Sequence, residues 1–143
     1  MSPPAGVVDD PLNAVQAAFF TAARAHAALM ALLPGGVYDE PPESEQRDYV
    51  VLGDHLSLPD HTHDKYGREI TQTFHIWTKS RGTKRGGAIA AEWNALFDHQ
   101  NDSIVVPGHR IVIIRNEFQQ ALRDPDPEWR QTLIRMRINT VQL

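Results

Sequence analysis

The stretch Arg68–Asp98 constrains the fold more than any other part of this sequence, because the spacing of its apolar residues changes half-way along it. In the first part Ile70, Phe74 and Ile76 alternate with polar residues, and Gln72 is the only polar residue on the apolar side. Alternation with a period of two is typical of a β-strand with one buried face. We therefore predict a half-buried strand here.

The glycine-rich segment Ser80–Gly87 ends this alternation and carries three cations, so it is predicted to be an exposed loop. Beyond it the apolar residues recur at i, i+4, i+7 and i+8, which is one stripe of a helix: Ile89, Trp93, Leu96 and Phe97. A half-buried strand followed by an amphipathic helix predicts a sheet with that helix laid on its apolar face.

The chain has 143 residues, the length of one domain, and its hydrophobic content of 41% suffices for a core. Residues 1–8, with two prolines and a glycine, are predicted to form a flexible arm, and residues 9–143 a single domain. The net charge of −4 disfavours a dedicated nucleic-acid-binding protein, and the absence of cysteine excludes disulfides and thiolate metal sites. Neither a membrane span nor a secretory signal is expected from the pattern of apolar residues.

The remaining elements follow from the same kinds of pattern. Asp9–Asp10–Pro11 is typical of a helix start, and the apolar stripe after it, which includes His26, predicts one helix as far as Leu33. Further strands are predicted at residues 37–38, 49–58, 104–106, 109–122 and 129–141. The predicted fold class is therefore α+β, a mainly antiparallel sheet of four to six strands with two helices packed on it.

The alternation also predicts which strand residues point towards the helices. In the strand at residues 49–58, Asp54 falls on the apolar side, and we predict that a bulge at Gly53 turns it outward. Arg135 and Arg137 are predicted to lie on the opposite face. The predicted inward residues of the second strand and of the two late strands are Val50, Leu52, Leu56, Leu58, Val112, Ile114, Phe118, Leu122, Ile134, Met136 and Ile138.

Motifs that carry chemistry are scarce: the chain has no nucleotide-binding glycine motif, no serine elbow and no cysteine nucleophile. One cluster of potential ligands lies in and beside the nine-residue connection Pro59–Gly67, at His55, Asp60, His61, His63 and Asp64. Histidines and carboxylates can hold a divalent ion, so a metal-dependent enzyme that uses His55, His61 and His63 is one alternative. Because no HExxH helix anchors the cluster, a solvated loop is preferred, and no catalytic residue, metal site or cofactor is predicted.

Two features predict contacts with other proteins. Trp77 lies on the polar side of its strand, where it would be exposed in a monomer unless something covers it, and this exposure indicates oligomerisation. The two loops that flank this strand, Asp60–Tyr66 and Arg81–Arg85, are expected to project from neighbouring parts of the fold. The predicted interface residues are Asp60, His61, His63, Lys65, Tyr66, Trp77, Arg81, Lys84 and Arg85.

Three stretches together point to a family. These are ALLPGGVYDEPPESEQRDYVVLGD at Ala31–Asp54, FHIWTKSRG at Phe74–Gly82 and the helix IAAEWNALFD at Ile89–Asp98. With the two late strands, they resemble the small tail terminator proteins, also called tail completion or tail-to-head joining proteins, of long-tailed phages and gene transfer agents. The resemblance covers nearly the whole chain from Leu12 onward, and it carries no catalytic residue over because these motifs are structural.

The resemblance implies an α+β subunit that assembles into a ring, typically a hexamer, on the head-proximal end of the tail tube. Such a ring stops tube polymerisation and offers a docking surface for the head. The implied partners are further copies of the chain, the major tail tube protein and a head-completion or connector protein, with genomic DNA passing through the lumen. The implied location is the virion tail at the head–tail junction, after assembly in the host cytoplasm. A small α+β binding module unrelated to phage, for example one that binds RNA, is a further alternative. The chain has the element types of such a module but lacks the paired aromatics of a basic RNA-binding strand.

Overall fold

A sheet with all its helices on one face organises the chain in the computed structural model, which describes residues 6–143. The elements in chain order are α1 (Leu12–Ala25), α2 (Ala27–Leu32), β1 (Gly36–Tyr38), β2 (Tyr49–Pro59), β3 (Gly67–Thr78), α3 (Lys84–Phe97), β4 (His109–Arg123) and β5 (Arg130–Gln142). The five strands are arranged in the order β1-β2-β3-β5-β4. Only the β1–β2 pair is parallel, so the predicted α+β class and the mainly antiparallel sheet are confirmed. No helix among the described residues is long and apolar enough to cross a membrane.

The core lies between this sheet and its helices, and four aromatic rings form its centre. Phe19 of α1 contacts Phe74 of β3 and Phe97 of α3, with ring centroids 5.0 and 4.8 Å apart, and all three side chains are fully buried. Trp93 is also fully buried and packs against Phe74 at 4.6 Å and Phe97 at 5.0 Å. The predicted packing of the Ile89–Phe97 stripe on the strand at Ile70–Ile76 is therefore confirmed.

Helix α3 begins earlier than the sequence predicts. It starts at Lys84, so the predicted loop Ser80–Gly87 is a loop only as far as Thr83. The glycine at position 86 permits this start, since a Cβ there would lie 2.5 Å from the hydroxyl of Thr132 on β5. Gly86 therefore allows the close approach of helix α3 to the sheet.

The first helix is interrupted, although a single helix to Leu33 is predicted. His26 has an extended backbone, with φ −90° and ψ 103°, and separates α1 from α2. Its ring Nε2 lies 2.9 Å from Glu92 Oε1 of α3, so the side chain ties the interruption to the neighbouring helix. No proline or glycine marks the break, and a tertiary contact of this kind has no signal in local sequence.

A bulge in β2 reverses the predicted facing of its second half. Leu52 pairs with Phe74 but His55 pairs with Gln72, so Gly53 and Asp54 together oppose one residue of β3. Asp54 is exposed, as predicted. Because the extra residue shifts the alternation by one, Leu56 and Leu58 point to the face without helices and are 53% and 46% exposed. The prediction that they face inward is wrong.

The bulge in β2 is stabilised by hydrogen bonds from the side chain of Gln72. Its side chain is fully buried and its Nε2 donates to the carbonyl oxygens of Gly53 and Thr73, each at 3.1 Å. A Cβ at position 53 would lie 2.5 Å from His75 Nε2, so only glycine fits there. Gln72, the polar residue between Ile70 and Phe74 on the apolar side of β3, thus donates hydrogen bonds to the irregular backbone beside it.

Two bulges in β4 similarly change its facing. The register shifts between Ile111 and Ile113 and again between Asn116 and Phe118. Of the residues predicted to face inward, Ile114 is fully buried, whereas Val112 is 41% and Phe118 is 42% exposed. Leu122 pairs with Gln131 and lies on the face of Trp77, away from the helices. By contrast β5, which has no bulge, buries Ile134, Met136 and Ile138 as predicted.

The predicted strand at residues 104–106 is absent from the described chain. Ile104 and Val106 are buried and Val105 is 81% exposed, but the segment has no strand to pair with. The outer edge of β4 is already occupied at Val112 and Ile114, since His99 N donates to Ile114 O at 2.8 Å and the Asn101 side chain forms hydrogen bonds with the backbone of both residues. Alternating burial here comes from packing of an irregular loop.

Candidate functional site

The predicted interface residues of the β2–β3 connection form a closed hairpin turn. Asp60 N donates to Gly67 O at 2.9 Å, Thr62 N donates to Lys65 O at 2.9 Å, and Gly67 N donates to His61 Nδ1 at 3.1 Å. The rings of His61 and Tyr66 meet edge to face at 5.3 Å. All side chains from Asp60 to Lys65, including His63, are exposed, and Tyr66 is half-buried.

The histidines considered as metal ligands do not converge. His55 lies in β2 beyond the bulge, whereas His61 and His63 lie in the turn after β2 has ended. Among residues 6–143, no group of three or more histidine, cysteine, aspartate or glutamate side chains is arranged to hold a metal ion. The described residues therefore provide no group of ligands for the metal-dependent enzyme considered as an alternative.

The basic residues at the other end of β3 divide into two kinds. Arg81 and Lys84 are exposed, and the described residues offer neither of them an ion pair. Arg85 instead donates from Nε to Asp48 Oδ2 at 2.9 Å and makes further hydrogen bonds from Nη2 to both oxygens of that carboxylate. This bonding raises the pKa of Arg85 above its usual value. Arg85 is thus held in an ion pair within the chain, and its predicted contact with a partner stays a prediction.

Asp48 is the residue that sequence reasoning missed at this site. Its side chain is only 5% exposed, and besides Arg85 it accepts a hydrogen bond from Lys79 N at 3.0 Å. Its own carbonyl oxygen accepts from Gly35 N at 2.8 Å. Asp48 therefore joins the start of β1, the end of β3 and the start of α3. In the sequence it is one acid among many in the loop between β1 and β2, so no local signal distinguishes it.

Trp77 lies on the face of the sheet that no described helix covers, but it is half-buried instead of exposed. It pairs with Tyr49 on β2 and Gln131 on β5. Tyr49 contacts the rings of Tyr38 and Trp129 edge to face, with centroids 6.1 and 5.9 Å apart. Neighbouring side chains of the same chain therefore cover part of Trp77.

The two candidate loops lie at opposite ends of β3, although they were expected in neighbouring parts of the fold. We call the end with the Asp60–Tyr66 turn the upper end, and the end with Arg81 and Lys84 the lower end. Twelve residues of β3 separate them, which at about 3.4 Å per residue is about 40 Å. No single partner of small size can contact both.

Comparison with known proteins shows the family to which this chain belongs. The family model for tail completion protein gp17 matches residues 17–140, nearly the whole described chain. The chain belongs to this family of tail completion proteins. The gp17 tail completion protein of Bacillus phage SPP1 is 28% identical over 101 residues, which are 71% of this chain and 73% of the relative. The resemblance predicted from the sequence is thereby confirmed.

A solved structure extends the likeness to the fold. One chain in the virion of a native gene transfer agent particle matches this tail completion protein with a TM-score of 0.79, over 89% of this chain and 94% of that one. The sequences are 23% identical, so the match shows a shared fold.

The open face of this tail completion protein is mixed in character. Besides Leu56 and Leu58 it presents Phe118, over whose ring the guanidinium of Arg135 lies at 5.4 Å. Arg137 Nη1 lies 3.6 Å from both Glu69 Oε1 and Glu117 Oε1, so this arginine is balanced by two carboxylates. The predicted outward facing of Arg135 and Arg137 follows from their pairing with Thr73 and Thr71.

Proposed function

We propose that this tail completion protein has a structural and not a catalytic role, and that it forms a ring, typically of six copies, which caps the head-proximal end of the tail tube. The ring ends tube polymerisation and provides the surface on which the head is joined. Its partners are further copies of the chain, the major tail tube protein on one side and a head-completion or connector protein on the other. Genomic DNA passes through the lumen of the ring.

The observation that carries this proposal is the family match over residues 17–140. Because the match covers nearly the whole domain, it supports a structural role in a virion tail for the domain as a whole. The position of the loops supports the finer statement. A capping ring touches different proteins on its two sides, and this subunit has different loops about 40 Å apart at the ends of β3. Contacts repeated around a ring add avidity, so each one can be weak.

Deletion of the gene tests the role in the particle. The expected result in electron micrographs is intact heads beside unjoined, over-long tails, because nothing stops the tube or connects it. Normal virions from the deletion strain would refute the proposal.

A second experiment tests the lower end as a docking surface. Arg81→Glu with Lys84→Glu reverses two exposed cations that make no ion pair within the described chain. We expect a folded protein that fails to restore head–tail joining when it is supplied to the deletion strain. Arg85 is left unchanged, because its reversal would disrupt the pair with Asp48 and confuse docking with stability. Full restoration by the double variant would exclude the lower end.

A further inference from the structure

Charge is distributed unevenly across the sheet. The segment from Gly36 to Pro59, which contains β1, the following loop and β2, holds six acidic residues and one arginine, a net charge of −5. Strand β3 holds one residue of each sign. Strand β5 holds three arginines and no acid, and β4 holds three arginines and one glutamate. Since the strand order is β1-β2-β3-β5-β4, one edge of the sheet is acidic and the opposite edge is basic.

The charges at the two edges are mostly not neutralised within the chain. At the acidic edge Glu40 and Glu43 are exposed and make no ion pair with described residues. At the basic edge, Arg115 is half-buried and Arg123 is exposed, and these two also lack an ion pair among residues 6–143. Opposite charges on opposite edges make two copies complementary when they meet side by side.

The outer edge of β4 also has an open stretch of backbone that is level with β1. The hydrogen bonds described for the outer edge of β4 lie between Val112 and Asn116, so its lower half, Glu117–Arg123, is open. Across the sheet, Ala121 pairs with Thr132, Thr132 with Ile76, Ile76 with Val50 and Val50 with Val37 of β1. The open half of β4 is therefore level with β1.

Strand direction is favourable as well. Strands β2 and β5 are each antiparallel to β3, β1 is parallel to β2, and β4 is antiparallel to β5. Strands β1 and β4 thus run in opposite directions. A copy placed beside another in the same orientation sets its β1 antiparallel to the neighbour's β4, the commoner arrangement of adjacent strands.

We propose that the acidic edge, formed by β1 and the loop with Glu40 and Glu43, binds the basic edge of a second copy, formed by the lower half of β4 between Arg115 and Arg123. The two surfaces differ, so the contact is head-to-tail and can repeat in one rotational direction until a ring closes. The inference rests on the proposed function for closure into a ring, but the contact between two copies can be measured without any other tail protein.

A charge-exchange experiment on the full chain tests this contact. One variant carries Glu40→Lys with Glu43→Lys, and the other carries Arg115→Glu with Arg123→Glu. Light scattering after size-exclusion chromatography, over a wide range of protein and salt concentrations, measures the mass relative to the 16.1 kDa chain. We expect the wild type to associate as concentration rises and to dissociate with salt, because these charges are exposed. Each variant alone should have a dissociation constant raised by about tenfold or more.

The decisive sample is the equimolar mixture of the two variants. At the four exchanged positions one variant carries only cations and the other only carboxylates, so alternation of the two restores opposite charges across every contact and association should return. The control, Arg81→Glu with Lys84→Glu, reverses two cations that lie outside β1 and β4. It should self-associate as the wild type does, although it is expected to fail in the separate assay of head–tail joining. A mixture no more associated than its separate components, variants that associate normally, or a wild type that stays monomeric throughout would each overturn the proposal.

The outcome separates this inference from the proposed function. Restored association in the mixture together with normal virions from the deletion strain would retain the contact and reject the role in tail joining. Failed association together with unjoined tails in the deletion strain would retain the role and reject the edges as its contact.

Discussion

Replacement of Arg85 by glutamine tests whether the ion pair between Arg85 and Asp48 stabilises the fold, in contrast to the exposed cations Arg81 and Lys84 nearby. The Asp48 carboxylate is 5% exposed and is held by the Arg85 side chain and by Lys79 N. In Arg85→Gln the guanidinium is lost, and one backbone N–H remains within hydrogen-bond distance of a carboxylate that stays buried. Loss of one partner from a buried pair costs about 3–5 kcal/mol.

The expected cost here is smaller, because the Arg85 side chain is 56% exposed. Water can replace part of the lost guanidinium on that side, and solvent already screens the pair. Discounted in this way, the free energy of unfolding should fall by about 1–2 kcal/mol. For a chain of this length such a loss lowers Tm by about 3–8 °C.

Matched controls lie within the same five residues. Arg81→Gln and Lys84→Gln each remove one exposed cation that makes no ion pair with the described residues, and they should change the free energy of unfolding by less than about 0.5 kcal/mol. Urea is the suitable denaturant, since guanidinium chloride would screen the charges under test. The double variant Arg85→Gln with Asp48→Asn should recover part of the loss, because no charge is then left buried.

The reasoning fails if Arg85→Gln is as stable as Arg81→Gln. That result would mean that the buried carboxylate obtains enough stabilisation from Lys79 N and water. Arg85 would then resemble Arg81 and Lys84, the exposed cations that are proposed to contact a partner.

Three further predictions concern the core, the bulge and the response to pH. Trp93→Ala should lower the free energy of unfolding by about 3–5 kcal/mol in urea titrations, since the ring is fully buried among other aromatic rings, and a loss below about 1 kcal/mol would contradict the packing described. Leu58→Ser should change it by less than about 0.5 kcal/mol because this side chain is 46% exposed, whereas Leu52→Ser, at a site 4% exposed, should cost several times more; equal losses would mean that the bulge does not reverse the facing. Burial lowers the pKa of His75 below its usual 6.5, against the smaller opposing effect of Asp54, so the unfolded chain binds more protons just below pH 6.5 and stability should fall as the pH falls through that range. His75→Gln should flatten this dependence in urea titrations from pH 5 to 8, and an unchanged slope would reject the assignment.

Regular periodicity allowed much of the fold to be predicted from the sequence. The strand at Ile70–Ile76 and the helix stripe from Ile89 to Phe97 follow one period each over several repeats, and both pack as expected. Strand β5 has no bulge and its alternation is correct throughout. In such segments every residue gives independent support to the same facing.

Irregular backbone limited the prediction elsewhere. One extra residue in β2 and two register shifts in β4 each reverse the facing of everything that follows, so a correct pattern of alternation leads to the wrong face. The bulge at Gly53 was predicted, but its consequence for Leu56 and Leu58 requires the position of the helices. The roles of Gln72, Asp48 and His26 depend on partners that are distant in the chain, and no local pattern contains them.

The net charge shows how an average over the chain can hide the organisation of a surface. A value of −4 indicates a weakly acidic protein and gives no sign of two oppositely charged surfaces. The sequence does contain an acidic segment between Gly36 and Pro59 and arginine-rich segments in the last two strands, but their separation in space depends on the strand order. If β4 followed β3 in the sheet and β5 lay at the edge, the outermost strand would still be basic. If either strand paired with β1, the two charges would cancel inside one subunit. The placement of both β4 and β5 on the side of β3 opposite β2 and β1 therefore keeps the opposite charges on opposite edges, where a second copy can reach them.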